Sequence, residues 1–396
     1  MAERLALDGG APVRAATLPY GRHAVEEEDV QAVTAALRSG WLTTGPLVGE
    51  LERAVAAAVG AAHAVAVSSG TAALHAAVAA AGVGPGDEVV TSPLTFVGSA
   101  NAVLYRGGVP VFADVREDTL NIDPVDAEMR VTPRTRALLP VDYAGQPADL
   151  DELGRIAAAR GLVMIEDAAH ALGAAYRGRP VGGVSDLTTF SFHPVKHVTT
   201  GEGGMVTTAR ADLAAAMRRF RNHGLDADFR ERDARGLEFA PMVELGFNYR
   251  LPDVACALGL AQLSRLESGL KRRAEIAERY QAALAGVAAV TLPAVLPHVR
   301  HAWHIFPVLL DLPRLSVDRR TVLAALRAEG IGVALHYVPA YWHPYYEALG
   351  YRRGLCPRAE AAWERLVTLP IFPAMTDVDA DDVITAVRKV LGHYAR

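Results

Sequence analysis

Ser191-Phe192-His193-Pro194-Val195-Lys196-His197-Val198-Thr199-Thr200-Gly201-Glu202-Gly203-Gly204-Met205-Val206 places a single lysine in a turn-rich segment between two apolar runs, with no acid near it in sequence before Glu202. A lysine held away from water loses solvation of its ammonium form, so its pKa falls and the neutral amine becomes a usable nucleophile. That is what a Schiff base with an aldehyde cofactor requires. Read alone, Lys196 is equally an exposed loop lysine. Two further stretches weigh against that reading.

Upstream lies Leu162-Val163-Met164-Ile165-Glu166-Asp167-Ala168-Ala169-His170-Ala171-Leu172-Gly173. The unbroken apolar run 162–165 has the pattern of a strand buried on both faces of a parallel sheet. Glu166 and Asp167 follow at its carboxyl end, the edge where open α/β sheets hold their ligands. A carboxylate there can keep a pyridine nitrogen protonated, or it is an ordinary strand-end or helix-capping acid. His170 suits either a bond to a cofactor hydroxyl or a partly buried packing role. Earlier still, Ala64-Val65-Ala66-Val67-Ser68-Ser69-Gly70-Thr71-Ala72-Ala73-Leu74-His75 reads as strand, small-residue turn and alanine-rich helix. Backbone N–H groups at such a helix start form an anion site; Ser69, Gly70 and Thr71 are also what a plain N-cap looks like. Taken together, the stretches supply a phosphate anchor, an acid for a ring nitrogen and an aldehyde-trapping amine. Pyridoxal 5'-phosphate (PLP) needs all three.

Helix and strand patterns alternate through the first two thirds. Helices are expected at 26–37, 47–59, 71–81 and 99–105, and strands at 63–67, 88–91, 109–113, 137–140, 162–165, 188–192 and 205–207. This alternation argues for a mainly parallel sheet covered on both faces. A long helical stretch at 253–283 follows, then helices such as 319–329 mixed with strands such as 302–310, which suits a smaller α+β domain. The division expected is 1–255, including an N-terminal arm, and 256–396.

The 396 residues carry a net charge of -5, which gives no basic field for nucleic acid. The basic cluster Arg218-Arg219-Phe220-Arg221 reads as a helix end rather than a binding patch. Two distant cysteines, Cys256 and Cys356, indicate no disulfide framework and fit a reducing cytoplasm. No signal-peptide pattern and no apolar run of about twenty residues marks export or a membrane span. The run Tyr341-Trp342-His343-Pro344-Tyr345-Tyr346 reads as packing or interface, and its histidine does not match a zinc site.

With these motifs in place the chain resembles the DegT/StrS-type sugar aminotransferases, PLP enzymes of fold type I. Trp41-Leu42-Thr43-Thr44-Gly45, Ser69-Gly70-Thr71, Thr95-Phe96-Val97, Val141-Asp142-Tyr143-Ala144-Gly145-Gln146, Gly246-Phe247-Asn248-Tyr249-Arg250 and Val333-Ala334-Leu335-His336-Tyr337 carry the resemblance together with the Asp167 and Lys196 segments. Within the family, the phrases at 141–145, 191–193 and 336–339 are similar to the branch making UDP-4-amino-4,6-dideoxy-N-acetyl-β-L-altrosamine for pseudaminic acid. The resemblance implies a large domain with a mainly parallel seven-stranded sheet and a smaller α+β domain. It implies Lys196 as the cofactor-linked base and Asp167 as the ring-nitrogen partner. Ser69, Gly70, Thr71 and Ser191 fall to the phosphate, Phe96 to the ring face and His170 to the ring hydroxyl. Asn248 matches an asparagine that reaches the phosphate across a dimer interface, so a homodimer with shared sites is expected. Tyr20, Thr43, Thr44 and Gly45 match segments bordering the sugar-nucleotide pocket. Arg250 is either a surface ion-pair partner or a binder of the amino donor's acid. His336 and Tyr337 either enter the partner's cleft or pack.

The implied reaction moves an amine from an amino acid, L-glutamate first, to the 4-keto group of a UDP-linked 6-deoxy-N-acetylhexosamine; a dTDP-linked 4-keto or 3-keto sugar is the alternative acceptor. A sugar 3-dehydratase of the same family has histidine at the lysine position, and here Lys196 holds that position with His197 after it. A non-catalytic PLP-binding regulator finds no appended DNA-binding module in this chain.

Overall fold

The computed structural model describes residues 4–227 and 229–396. Its strands are β1 (His63–Val67), β2 (Glu88–Thr91), β3 (Val109–Phe112), β4 (Thr135–Leu139), β5 (Val163–Asp167), β6 (Ala175–Tyr176), β7 (Arg179–Pro180), β8 (Leu187–Ser191), β9 (Gly204–Thr208), β10 (Val290–Thr291), β11 (Val299–Arg300), β12 (Phe306–Leu310) and β13 (Leu366–Leu369). Seven form one sheet in the order β1-β9-β8-β5-β4-β2-β3. Neighbours are parallel except where β9 runs antiparallel to both β1 and β8. This is the α/β architecture of a type I fold, with the expected mainly parallel seven-stranded sheet.

The residues of β5 explain its apolar run. Val163 and Ile165 face the alanines of helix Gly70–Ala80, while Met164 turns to the other side against Leu153 and Ile156 of helix Leu150–Arg160. Both sides are covered, so no position on the strand is left for a polar residue until its carboxyl end. Full burial of each such side chain stabilises by about 1.5–3 kcal/mol. Alanine in helix Gly70–Ala80 keeps that helix close to the sheet, and the whole run Ala72 to Val78 is buried.

A second unit is built on the antiparallel sheet β10-β12-β13, backed by helices Leu266–Leu284, Arg319–Ala328 and Asp377–Tyr394. Its core joins Ile276, Tyr280, Phe306, Val322, Leu326 and Val387. Leu5 and Leu18 belong to this core, so the start of the N-terminal arm packs with the second unit. Glu329 fastens it: Oε1 accepts from the Ala6 N–H at 2.8 Å, and Oε2 accepts from the Val13 N–H and from Lys389 Nζ, both at 3.0 Å. The boundary drawn after residue 255 falls inside helix Asp253–Ser264, whose Cys256 packs with Leu51 and Val55 of the first unit.

Two expected elements differ. The helix read as 253–283 is two, Asp253–Ser264 and Leu266–Leu284, parted at Arg265. No proline or glycine stands at the break; it coincides with the Arg265 guanidinium reaching Asp29 at 2.6 Å. The strand read as 302–310 starts only at Phe306. The N–H groups of Ala302 and His304 are taken instead by the carbonyls of Gly145 and Ala144, both at 2.9 Å. Tyr341 and Tyr346 of the aromatic run are buried with Phe112 and Leu309, so they pack the two units together.

Candidate active site

Parallel pairing of β5 with β8 sets Asp167 beside Thr189, two residues before β8 ends at Ser191 and the chain turns toward Lys196. Asp167 is 4 % exposed. Its Oδ2 accepts from Ser99 Oγ at 2.6 Å and its Oδ1 from the Ala169 N–H at 3.2 Å. Burial raises its pKa above the usual carboxylate range, and the bonds from Ser99 and Ala169, with the Lys196 charge, only partly offset this. An acid so placed favours a cationic partner. Ser99, at the start of helix Gly98–Leu104, was not legible as a site residue: a serine in a helix has no distinguishing signal until the helix is docked.

Lys196 sits in the turn after β8, its N–H bonded to the His193 carbonyl at 2.9 Å. Burial brings its amine down to about 8, with Asp167 pulling the other way and Arg273 adding to the fall. Its Nζ is 3.5 Å from His304 Nε2. His304 is buried, and its ring lies 4.3 Å from that of His170 and 5.5 Å from that of His197. Burial and neighbouring charge hold all three imidazoles well below their ordinary pKa, hence neutral. His304 is held from two sides. Arg273 donates to the carbonyls of Trp303, His304 and Ile371 at 3.0, 3.1 and 2.9 Å, and the Ala144-Gly145 turn takes the N–H groups of 302 and 304. Gly145 is required there. A Cβ would stand 2.7 Å from the His170 carbonyl oxygen and 3.1 Å from the His304 nitrogen, at φ +101°.

Ser69 caps helix Gly70–Ala80, its Oγ accepting from the Ala72 N–H at 3.0 Å. The N–H groups of Gly70 and Thr71 precede the first intrahelical bond and are open to an anion. Ser191 belongs to the same corner, since a Cβ on Gly70 would lie 2.8 Å from Ser191 Cβ and 3.0 Å from its Oγ. The Tyr249 carbonyl accepts from the Ser68 N–H at 2.8 Å, which brings the 246–250 segment against this loop. Asn248 itself is exposed and pairs through its backbone with Asn222.

Above the acid, Phe96 is 60 % exposed, its ring 6.4 Å from that of Tyr337. It is a cleft aromatic, not a core one. His170 Nε2 lies 3.1 Å from the Tyr337 hydroxyl, and its Nδ1 is buried without a partner among the described residues. The Tyr20 ring is 5.2 Å from that of His336, whose Nδ1 is 3.1 Å from Thr368 Oγ1; burial lowers the His336 pKa to about 4. Within the single chain, His336 and Tyr337 pack against Tyr20, Thr368 and His170. Thr43, Thr44, Gly45 and Arg250 are not brought there. They line a separate cavity of about 760 Å³, with Arg250 Nη1 donating to Asn222 Oδ1 at 2.7 Å.

The residues present fit PLP. A desolvated amine, a buried acid lacking a cationic partner in its own hydrogen bonds, an exposed flat ring, an unpartnered buried imidazole nitrogen and a glycine-lined helix start surround one cleft. Among the described residues no helix is long and apolar enough to cross a membrane.

Residues 23–388 match the DegT/DnrJ/EryC1/StrS aminotransferase family. The spore coat polysaccharide biosynthesis protein SpsC of Bacillus subtilis is 44 % identical over 377 residues, covering 94 % of this chain and 97 % of its own. Spr1654 of Streptococcus pneumoniae, solved in its PLP form, superposes with a TM-score of 0.88 at 30 % identity over 95 % of this chain and 99 % of its own. PseC of Helicobacter pylori, an aminotransferase in the biosynthesis of pseudaminic acid, gives 0.88 at 29 % over 96 % and 100 %. Likeness along nearly the full length and a cleft shaped for the cofactor point the same way: the chain belongs to the DegT/DnrJ/EryC1/StrS family and is a PLP-dependent sugar aminotransferase.

Proposed function

We propose that the protein is a cytoplasmic homodimer that transfers an amino group from L-glutamate to the 4-keto group of a UDP-linked 4-keto-6-deoxy-N-acetylhexosamine. One observation carries the reading: an amine brought to about 8 by burial, in the same cleft as a buried acid whose bonds come from uncharged donors. Likeness to PseC and SpsC supports a glycan-building sugar as acceptor.

PLP, when bound, supplies an aldehyde for the amine and a ring that draws electrons from the donor's α-carbon. Asp167 keeps a proton on the ring nitrogen, and Ser99 holds the carboxylate oriented for it. Gly70 and Thr71 N–H groups and the Ser69 and Ser191 hydroxyls grip the phosphate, joined by Asn248 of a second copy. Phe96 and His170 would hold the cofactor's ring. Lys196 Nζ would act as general base toward the donor's α-carbon proton and then as general acid, the proton chemistry that the bound cofactor makes accessible. A pKa of about 8 suits both directions near neutrality. Tyr20, His336 and Tyr337 border the sugar.

The test is a panel of UDP- and dTDP-linked keto sugars with L-glutamate, read by product mass. The UDP-linked 4-keto-6-deoxy-N-acetyl sugar is converted first; conversion of dTDP sugars alone contradicts the proposal.

A further inference from the structure

We propose that His304 is a positioning residue for Lys196: its Nε2 accepts a hydrogen bond from the amine and holds it in place inside the cleft. The inference deepens the reading of Lys196 as proton carrier and rests on it. Among the described residues, each side chain is the other's one hydrogen-bond partner, with Nζ and Nε2 3.5 Å apart. His304 is 5 % exposed, and its Nδ1 is buried with no partner among the described residues. Asp167 attracts the amine by charge, while its own oxygens accept from Ser99 and Ala169. The backbone specifies where His304 sits. Trp303 just before it takes φ +50°, a left-handed conformation that a bulky residue adopts only where its surroundings impose it. Arg273 holds the carbonyls of Trp303 and His304, and the Ala144 carbonyl takes the His304 N–H.

An ammonium has three N–H donors and no lone pair, so it can meet the imidazole only when Nε2 is the acceptor. The ring proton is then on Nδ1. Such a bond stabilises the charged amine more than the neutral one, and so works against the desolvation of Lys196. It does so without receiving the proton. Burial and the charges of Lys196, His170, His197 and Arg273 hold the His304 pKa well below its ordinary value. A proton taken up by Lys196 therefore stays on Lys196 until it is given back. The other titratable groups facing the pair are Asp167 at the end of β5, Arg273 of helix Leu266–Leu284, His170, His197 and His336. Of these only Asp167 is an acid, and its charge acts on the amine in the same direction as the bond to His304.

The pH dependence of PLP capture by the apo-enzyme tests this, comparing wild type with His304→Leu and His304→Gln. Leucine fills the space without an acceptor; glutamine returns an amide oxygen near the place of Nε2. The wild-type midpoint lies near 8. His304→Leu lowers it to about 7 or below, the change expected when a bond from a charged donor is lost. His304→Gln brings it back toward wild type. The direction separates two roles, because removing a residue that only kept water out would raise the midpoint toward the 10.5 of an ordinary lysine. In the PLP-loaded enzyme, His304→Leu slows bleaching by saturating L-glutamate about tenfold or more and leaves the half-saturating concentration unchanged; glutamine recovers most of the rate. A His304→Leu midpoint that stays or rises, or a glutamine variant no closer to wild type than leucine, overturns the proposal. Wild type that captures no PLP on Lys196 instead ends the reading of the lysine itself, and the proposal with it.

Discussion

Lys196 and Asp167 are shifted in opposite directions along the pH scale by the same cause. Burial disfavours the charged form of each, lowering the amine and raising the acid. For Lys196 the consequence is kinetic. Capture of PLP by the apo-enzyme requires the neutral amine, so its rate climbs with pH through a midpoint near 8, where an ordinary lysine at 10.5 would still be almost wholly protonated. Stopped-flow absorbance across pH 6–10 measures this; a midpoint near the ordinary lysine value contradicts the desolvated site. Asp167→Asn removes the charge that holds the ring proton while leaving size and the Ser99 contact. PLP is still captured, and the rate with L-glutamate falls about a hundredfold or more. A variant that keeps near-wild-type turnover shows that the acid serves only to cap.

Between elements, the telling contact is made by helix Leu266–Leu284. Arg273 is buried, bonded among the described residues to three carbonyls and no carboxylate, and fixes the segment that carries His304 to Lys196. Its charge also helps to lower the Lys196 pKa. Arg273→Met accordingly moves the capture midpoint upward and destabilises the fold by about 1–3 kcal/mol through the carbonyls left unpaired. Both are read from one variant, by pH titration and urea unfolding. An unmoved midpoint would mean that the Arg273 charge does not act on Lys196. None of this was legible in the sequence. Arg273 reads as one more charge on an amphipathic helix, and 302–305 reads as strand because its apolar residues give no sign that their N–H groups go to a turn more than 150 residues earlier. By contrast, β5 and the Ser69 cap were legible, because their causes are local: two-sided burial over a short run, and a hydroxyl before an alanine helix.

At the scale of the molecule, the sheet gathers its chemistry at the carboxyl ends of β5 and β8, and the second unit closes over it with Tyr337, His336 and His304. The N-terminal arm crosses to that second unit and is locked by the buried Glu329–Lys389 pair, whose side chains are 0 % and 4 % exposed. Glu329→Ala removes the carboxylate that Lys389 and the Ala6 and Val13 N–H groups share, and costs about 3–5 kcal/mol in urea unfolding; a loss below about 1 kcal/mol would mean that this carboxylate contributes little to holding the arm. Motif order announced the large unit and its cofactor. The same order could not show that Thr43 to Gly45 and Arg250 lie apart from Lys196 while Tyr20 lies near it, since that separation is made by docking of distant segments.

The most direct measurement is borohydride reduction of the PLP-loaded enzyme followed by peptide mass mapping. A single phosphopyridoxyl modification is expected, on Lys196, absent when L-glutamate is added before the reductant. A modification on another lysine, or none, contradicts it.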